Sequence, residues 1–147
     1  MTLALIQRIA GDTAGAKVTA EQARNTIEPL YRDHPDDWNS AALLSQANAV
    51  MGEKDLALKV AERAITILPP GKDAVNGPGQ EENLALIQAM LGENNRAISI
   101  LTKLLQTSYC SGLEPWVTTP AVLRLDPFWD PLRADPGFQK LCEEKVQ

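Results

Sequence analysis

Three aspartates near the C-terminal end of the chain have a residue type and spacing that could do chemistry. Asp126, Asp130 and Asp135 lie in the stretch LRLDPFWDPLRADPGFQKL (123–141), and each is followed by proline. Carboxylates four and five residues apart could bind a metal ion or share a proton, as in a small hydrolase. The intervening prolines would interrupt the helix needed to align them, and the sequence has no glycine-centred calcium loop. We therefore favour a structural role and keep the hydrolase as a minor alternative.

The other residues with catalytic or metal-binding chemistry are isolated in the sequence. His34 is the only histidine, and its polar segment RDHPDD predicts an exposed position near a helix C-terminus. Cys110 and Cys142 form no zinc-binding pattern. The sequence is compatible with two free thiols and with a single disulfide between them. Lys72 follows a glycine but lacks the earlier glycine and the following Ser or Thr of a phosphate-binding loop. We expect no metal, no cofactor and no catalytic activity.

The Asp-Pro pairs are typical of helix starts. Aspartate is a strong N-cap, and proline is favoured at the first helical position, where its missing N–H has no partner. We expect Asp126 to begin a short turn and Asp135 to begin a helix over GFQKLCEEKV. The apolar residues after these aspartates need a surface to pack on, and together with the two aspartates they predict a C-terminal cap: Phe128, Trp129, Leu132, Phe138 and Leu141.

Composition favours a helical protein without a nucleic-acid-binding surface. Of the 147 residues 44% are hydrophobic and only 5% aromatic, a balance that favours helices over strands. The net charge is −5, with basic residues scattered among acidic ones, so we expect no nucleic-acid partner. The sequence shows no signal peptide and no apolar run long enough to span a bilayer. We expect a cytoplasmic location, or an extracytoplasmic one if the chain belongs to a membrane-anchored parent.

The chain repeats itself at intervals of about 40 residues. LALIQRIAG (3–11), LSQANAVMG (44–52) and LALIQAMLG (84–92) each carry apolar residues at helical spacing and end on glycine. Glycine suits the residue after a helix, where φ is often positive. A second helical pattern follows each glycine, with Asn94 as the expected N-cap of the third of these helices. This predicts a repeated helix–glycine turn–helix unit and therefore a solenoid.

These repeats resemble the tetratricopeptide repeat family. Residues 38–70 carry the resemblance best, with leucine and a small residue in the first helix, glycine at the turn, and small residues before a closing proline: Leu44, Ser45, Gly52, Ala57, Ala61, Ala64 and Pro69. The family's period is about 34 residues. The extra residues here fall in a long second helix that ends near Pro35 and in the loop PPGKDAVNGPG (69–79). Residues 40–142, and above all the segment LRLDPFWDPLRADPGFQKL (123–141), also resemble the C-terminal end of tetratricopeptide regions in large bacterial signalling proteins, which include serine/threonine kinases and membrane-anchored winged-helix regulators.

The resemblance implies an all-α, right-handed α-solenoid that forms a single domain over residues 1–147. We expect three repeats over 1–35, 36–70 and 78–108, followed by the cap over 120–147. Small residues should lie where the two helices of a repeat cross: Ala4 with Ala16, Ser45 with Ala57, and Ala85 with Ala97. We interpret the acidic pairs at 36–37 and 81–82 as residues of a first helical turn, where the helix dipole favours them.

The repeat alignment also predicts a partner-binding groove. Its lining would be mixed but mostly apolar: Leu5, Arg8, Ile9, Leu43, Gln46, Val50, Asn83, Leu86 and Met90. Amides replace the tyrosine that the family usually has in the first helix of each repeat: Gln7, Asn48 and Gln88. We expect these amides either to hydrogen-bond to one another as a ladder between adjacent helices or to be exposed. We expect a non-catalytic module that binds a protein or peptide segment, as the C-terminal part of a larger bacterial signalling protein. Self-association as a homodimer is the main alternative.

Overall fold

The structure, a computed structural model, describes residues 1–107, 109 and 118–143. The described residues form helices and contain no β-strand, which confirms the predicted all-α class. By its internal contacts the chain divides into two compact units, Met1–Leu68 and Pro69–Gln147. We call them the N-terminal unit and the C-terminal unit. No described helix is both long and apolar enough to cross a membrane.

Four helices make up the N-terminal unit: α1 (Thr2–Ile9), α2 (Thr13–Asp33), α3 (Trp38–Met51) and α4 (Lys54–Ile67). Each helix contacts the next, and α1 also contacts α3. Asp12 caps α2, with its side chain accepting from the Gly15 N–H at 2.9 Å, as aspartate does at helix N-termini. His34 is the exposed C-cap of α2, as the sequence predicts.

The C-terminal unit contains α5 (Gly77–Met90), α6 (Asn94–Leu104), α7 (Pro120–Leu125), a 3-10 helix (Pro127–Leu132) and α8 (Pro136–Glu143). Helix α5 contacts α6 and the 3-10 helix, and α8 contacts α6 and α7. The two Asp-Pro helix starts are therefore present at the expected positions. The apolar residues that follow them are buried, except for the half-buried Phe128: Trp129, Leu132, Phe138 and Leu141.

The predicted glycine turns are present between the paired helices. Gly11, Gly52 and Gly92 all have φ between 79° and 87°, in the left-handed region that glycine enters without steric cost. The small residues predicted at the helix crossings are at most 1% exposed: Ala4, Ala16, Ser45, Ala57, Ala85 and Ala97. The helices that carry them contact pairwise, so alanine and serine allow the close approach that larger side chains would prevent.

Three local predictions are wrong. Helix α5 begins at Gly77, inside the predicted loop 69–79, so Glu81 and Glu82 lie beyond the first turn. Asp37 is the N-cap of α3 rather than a residue of its first turn, and it accepts hydrogen bonds from two backbone N–H groups. Glu93, not Asn94, occupies the N-cap position of α6. In each case neighbouring residues could begin the helix equally well, so local sequence does not fix the boundary.

Candidate functional site: a cleft in the N-terminal unit

The nine residues predicted to line a groove differ in exposure. Five of them are buried: Leu5, Gln46, Val50, Asn83 and Leu86. Arg8, Leu43 and Met90 are half-buried, and Ile9 is exposed. A buried side chain packs against the rest of its own chain, so only the second group has surface to offer a partner. The role of these residues in binding stays a prediction.

The three C-terminal aspartates each have a local partner instead of facing a common centre. Asp126 and Asp135 each accept a hydrogen bond from the backbone N–H two residues later, at 2.9 and 2.8 Å. Asp130 pairs with Arg133 one turn further on. Among residues 1–107, 109 and 118–143, no three His, Cys, Asp or Glu side chains are grouped so as to hold a metal ion. The geometry of these aspartates is that of helix capping and surface pairing.

A cleft of about 610 Å³ lies between α2, α3 and α4 of the N-terminal unit. Along each helix the lining residues are one helical turn apart, because residues at i and i+4 lie on the same face. The surface of the cleft is mostly apolar, and its charged side chains come from α2. The lining residues are Arg24, Glu28, Tyr31, Arg32, Pro35, Leu44, Asn48, Leu56 and Val60. Its volume is within the range of pockets that bind small molecules.

Apolar packing beneath the cleft fixes the three helices relative to one another. Ala41, Ala42, Leu44, Val60 and Ala64 form a buried cluster of α3 and α4. Partly buried apolar side chains from α2 and α4 pack against this cluster: Ile27, Tyr31 and Ile67. Leu44, Tyr31 and Val60 therefore belong both to this core and to the cleft wall, so the wall is held by the fold.

Asn48 is the buried polar residue of this cleft. Its side chain lies in α3 one turn after Leu44 and is 0% exposed. Neither its Oδ1 nor its Nδ2 has a hydrogen-bond partner among the described residues. Both sequence alternatives for this amide, a ladder and simple exposure, are therefore wrong at Asn48. A buried amide without partners costs about 1–3 kcal/mol, so native structures rarely retain one without a reason.

Arginines add hydrogen-bond donors along the α2 side of the cleft. Arg24 donates from Nη1 to Glu53 Oε1 at 2.8 Å, which fixes the guanidinium. Its Nε is buried and has no hydrogen-bond partner within the described part of the chain. Arg32 is exposed at the end of α2 and makes no ion pair with another described residue. Arg24 Nε and Asn48 Nδ2 are therefore buried donors without described partners at the cleft wall, while Arg32 is an exposed donor and Glu28 an exposed acceptor on the same wall.

The C-terminal unit contains a second buried polar group, at Glu82. Tyr109 Oη donates to Glu82 Oε1 at 3.1 Å, and the Thr118 hydroxyl donates to the same oxygen. All three residues are buried. Because both hydroxyls donate to the carboxylate of Glu82, this group connects α5 to the chain after α6 and has a structural role. Sequence reasoning missed it because the three residues are distant along the chain.

A smaller cleft of about 350 Å³ in the C-terminal unit contains Cys142 beside Arg124 and Arg133. Cys142 is a free thiol, and Cys110 lies outside the described residues. Burial raises the pKa of Cys142, although the two arginines act in the opposite direction. Arg133 is committed to other partners: it donates to the backbone carbonyls of Arg124 and Asp126 and pairs with Asp130. This cleft therefore has less free hydrogen-bonding capacity than the one at Asn48.

Comparison with protein-family models, curated proteins and solved structures finds no match to this chain.

Proposed function

We propose that this chain is a non-catalytic module that binds a segment of another protein. In this proposal the helical pairs are three tetratricopeptide-like repeats of a right-handed α-solenoid, and the segment after α6 is its C-terminal cap. The left-handed glycines between paired helices and the buried small residues support the repeat assignment. The module would form the C-terminal part of a larger bacterial signalling protein.

The cleft of the N-terminal unit is the observation that carries this function. It combines apolar walls with a buried amide that has no partner among the described residues. Protein-binding grooves have this composition, since apolar contacts supply affinity and a few polar groups fix orientation. The aspartates considered for hydrolysis have capping and pairing partners instead, as described above.

Selection from a random peptide library tests the proposal. We expect the immobilised full chain to enrich related sequences, and the resynthesised peptides to bind in solution by isothermal titration calorimetry. Leu56→Glu is the control, because Leu56 is 43% exposed on the cleft wall and can accept a charge without core disruption. Enrichment of no sequence above the Leu56→Glu background would contradict the proposal.

Self-association is a second candidate because α1 has an exposed apolar face. Leu3 and Ile6 are 59% and 53% exposed, and Ile9 continues the same face. A second copy could cover such a face, as in many homodimers. Light scattering over a concentration series discriminates: a dimer that Ile6→Glu dissociates supports this candidate, and a monomer at high concentration removes it.

A further inference from the structure

We infer that the cleft between α2, α3 and α4 takes an extended peptide segment and that Asn48 hydrogen-bonds to its backbone. This inference rests on the proposed function, because it names the ligand and the binding mode of the same module. It does not concern the predicted groove residues. It depends on Asn48, on the length of the α2 wall, and on the donors beside it.

The amide of Asn48 is chemically matched to a peptide bond. An asparagine side chain has one carbonyl acceptor and an NH₂ donor, and a peptide group offers one donor and one acceptor. The two can therefore pair through two hydrogen bonds. Asn48 is 0% exposed, and neither amide atom has a partner in the described part of the chain. A ligand reaches these atoms only when the side chains that cover them move aside, and both atoms can then pair with it.

The shape of the cleft favours an extended segment over a compact molecule. Its α2 wall runs from Arg24 through Glu28 to Arg32. At 1.5 Å per residue this wall is about 12 Å long. A fully extended chain covers about 3.3–3.6 Å per residue, so the wall matches about four residues.

The side chains around Asn48 indicate which residues the segment carries. Leu44, Leu56 and Val60 line the cleft, so an apolar ligand side chain would bury its surface next to the paired amide. Arg32 lies at one end without an ion-pair partner among the described residues, so an acidic ligand residue would be favoured there. The expected ligand is thus a short extended segment with an apolar residue followed or preceded by an acidic one.

The probe is a pool of synthetic hexapeptides, acetylated and amidated, with leucine and glutamate at the third and fifth positions in either order and all amino acids elsewhere. Peptides retained by the wild-type chain are remade with each backbone N–H methylated in turn. We expect methylation at one position to weaken binding about tenfold or more, as a lost backbone hydrogen bond with a steric clash would do. The same methylation should have little effect on Asn48→Leu, which preserves the shape of the side chain and removes both polar atoms.

A matched variant separates this inference from general disturbance of the fold. Gln7→Met removes another amide of the N-terminal unit whose Oε1 is buried without a partner among the described residues, and Gln7 does not line the cleft. We expect Gln7→Met to bind the retained peptides like the wild type, and Leu56→Glu to bind them at least tenfold more weakly. If Asn48→Leu fails to fold, the methylation series and Leu56→Glu still decide.

The outcomes distinguish the inference from the proposed function. If peptides bind the wild type and Asn48→Leu with affinities within twofold, the inference is overturned while the proposed function stands. If N-methylacetamide, a single amide, competes as strongly as the peptides, the cleft takes a small molecule and the inference is overturned. If neither the pool nor any selected peptide binds the wild-type chain, both the inference and the proposed function fail.

Discussion

The hydroxyl of Tyr109 donates a hydrogen bond to Glu82 Oε1 at 3.1 Å inside the C-terminal unit. Tyr109 is 3% exposed and Glu82 is 1% exposed, so the carboxylate depends on protein donors rather than on bulk water. Buried carboxylates are stable only when hydrogen bonds replace their hydration. This contact therefore ties the chain after α6 to the middle of α5.

Removing the Tyr109 hydroxyl should destabilise the C-terminal unit. In Tyr109→Phe the buried Glu82 loses a donor, and we expect the free energy of unfolding to fall by about 1–3 kcal/mol. Urea denaturation followed by circular dichroism measures this change. Tyr31→Phe is the control, because Tyr31 is half-buried, its hydroxyl has no hydrogen-bond partner in the described part of the chain, and the change should be small. Equal effects of the two substitutions would contradict the structural role of this hydrogen bond.

The same contact predicts a loss of stability at alkaline pH. Burial, and next the negative charge of Glu82, raise the pKa of Tyr109 above its ordinary value of 10.0. The folded state thus keeps the phenol proton at a pH where the unfolded chain releases it. The stabilisation is complete below about pH 10 and decreases as pH rises further, by up to about 1.4 kcal/mol per pH unit.

Unfolding experiments between about pH 8 and pH 11.5 check this dependence. We expect the wild type to lose stability more steeply above about pH 10 than Tyr109→Phe, which lacks the titrating group. Parallel curves for the two proteins would show that Tyr109 does not contribute to the alkaline transition.

The small residues at the helix crossings predict a strong dependence on side-chain size. Ala57 is fully buried in α4, which contacts α3, so a leucine there would overpack the contact. We expect Ala57→Leu to lower the free energy of unfolding by about 1–3 kcal/mol. Ala14→Leu, at an exposed position of α2, should leave stability nearly unchanged. Thermal unfolding of the two variants provides the comparison, and a neutral Ala57→Leu would be evidence against close crossing.

Substitution of the glycine between α3 and α4 should reduce stability through backbone conformation rather than through a steric clash. Gly52 has φ of 87°, and a Cβ added there would meet no atom within 4 Å. We expect Gly52→Ala to cost about 1–2 kcal/mol, because an L-residue is disfavoured in the left-handed region. Gly71→Ala is the matched control, since its surroundings are equally open and its φ is not positive in this way. Equal stabilities of the two variants, measured by urea denaturation, would argue against a left-handed Gly52.

Local physical chemistry made much of the fold predictable from the sequence. Glycine after an apolar helix ends that helix, and aspartate before proline begins the next one. Both effects are local, so the roles of Gly52 and Asp135 could be predicted without the tertiary structure. The start of α5 at Gly77 was missed because glycine and proline in the segment NGPG are typical of a loop. Proline within the first helical turn is nevertheless compatible with a helix.

The candidate site could not be predicted because it depends on burial. Asn48 was noticed only as an amide at an unusual repeat position, and its sequence neighbours do not indicate whether the side chain is exposed. Helix α3 is buried along most of its length and lacks a polar face, so periodicity does not indicate orientation. The cleft also requires Arg24 of α2 and Leu56 of α4, which only the tertiary fold brings together.

The most direct test of the account measures stability and peptide affinity together in Asn48→Leu. We predict that the free energy of unfolding rises by about 1–3 kcal/mol, because a buried unpartnered amide is removed, while affinity for the retained hexapeptides falls about tenfold or more. That opposite pair of changes is the signature of a polar group kept for binding at the expense of stability. An Asn48→Leu protein that binds these peptides as tightly as the wild type would contradict the central claim.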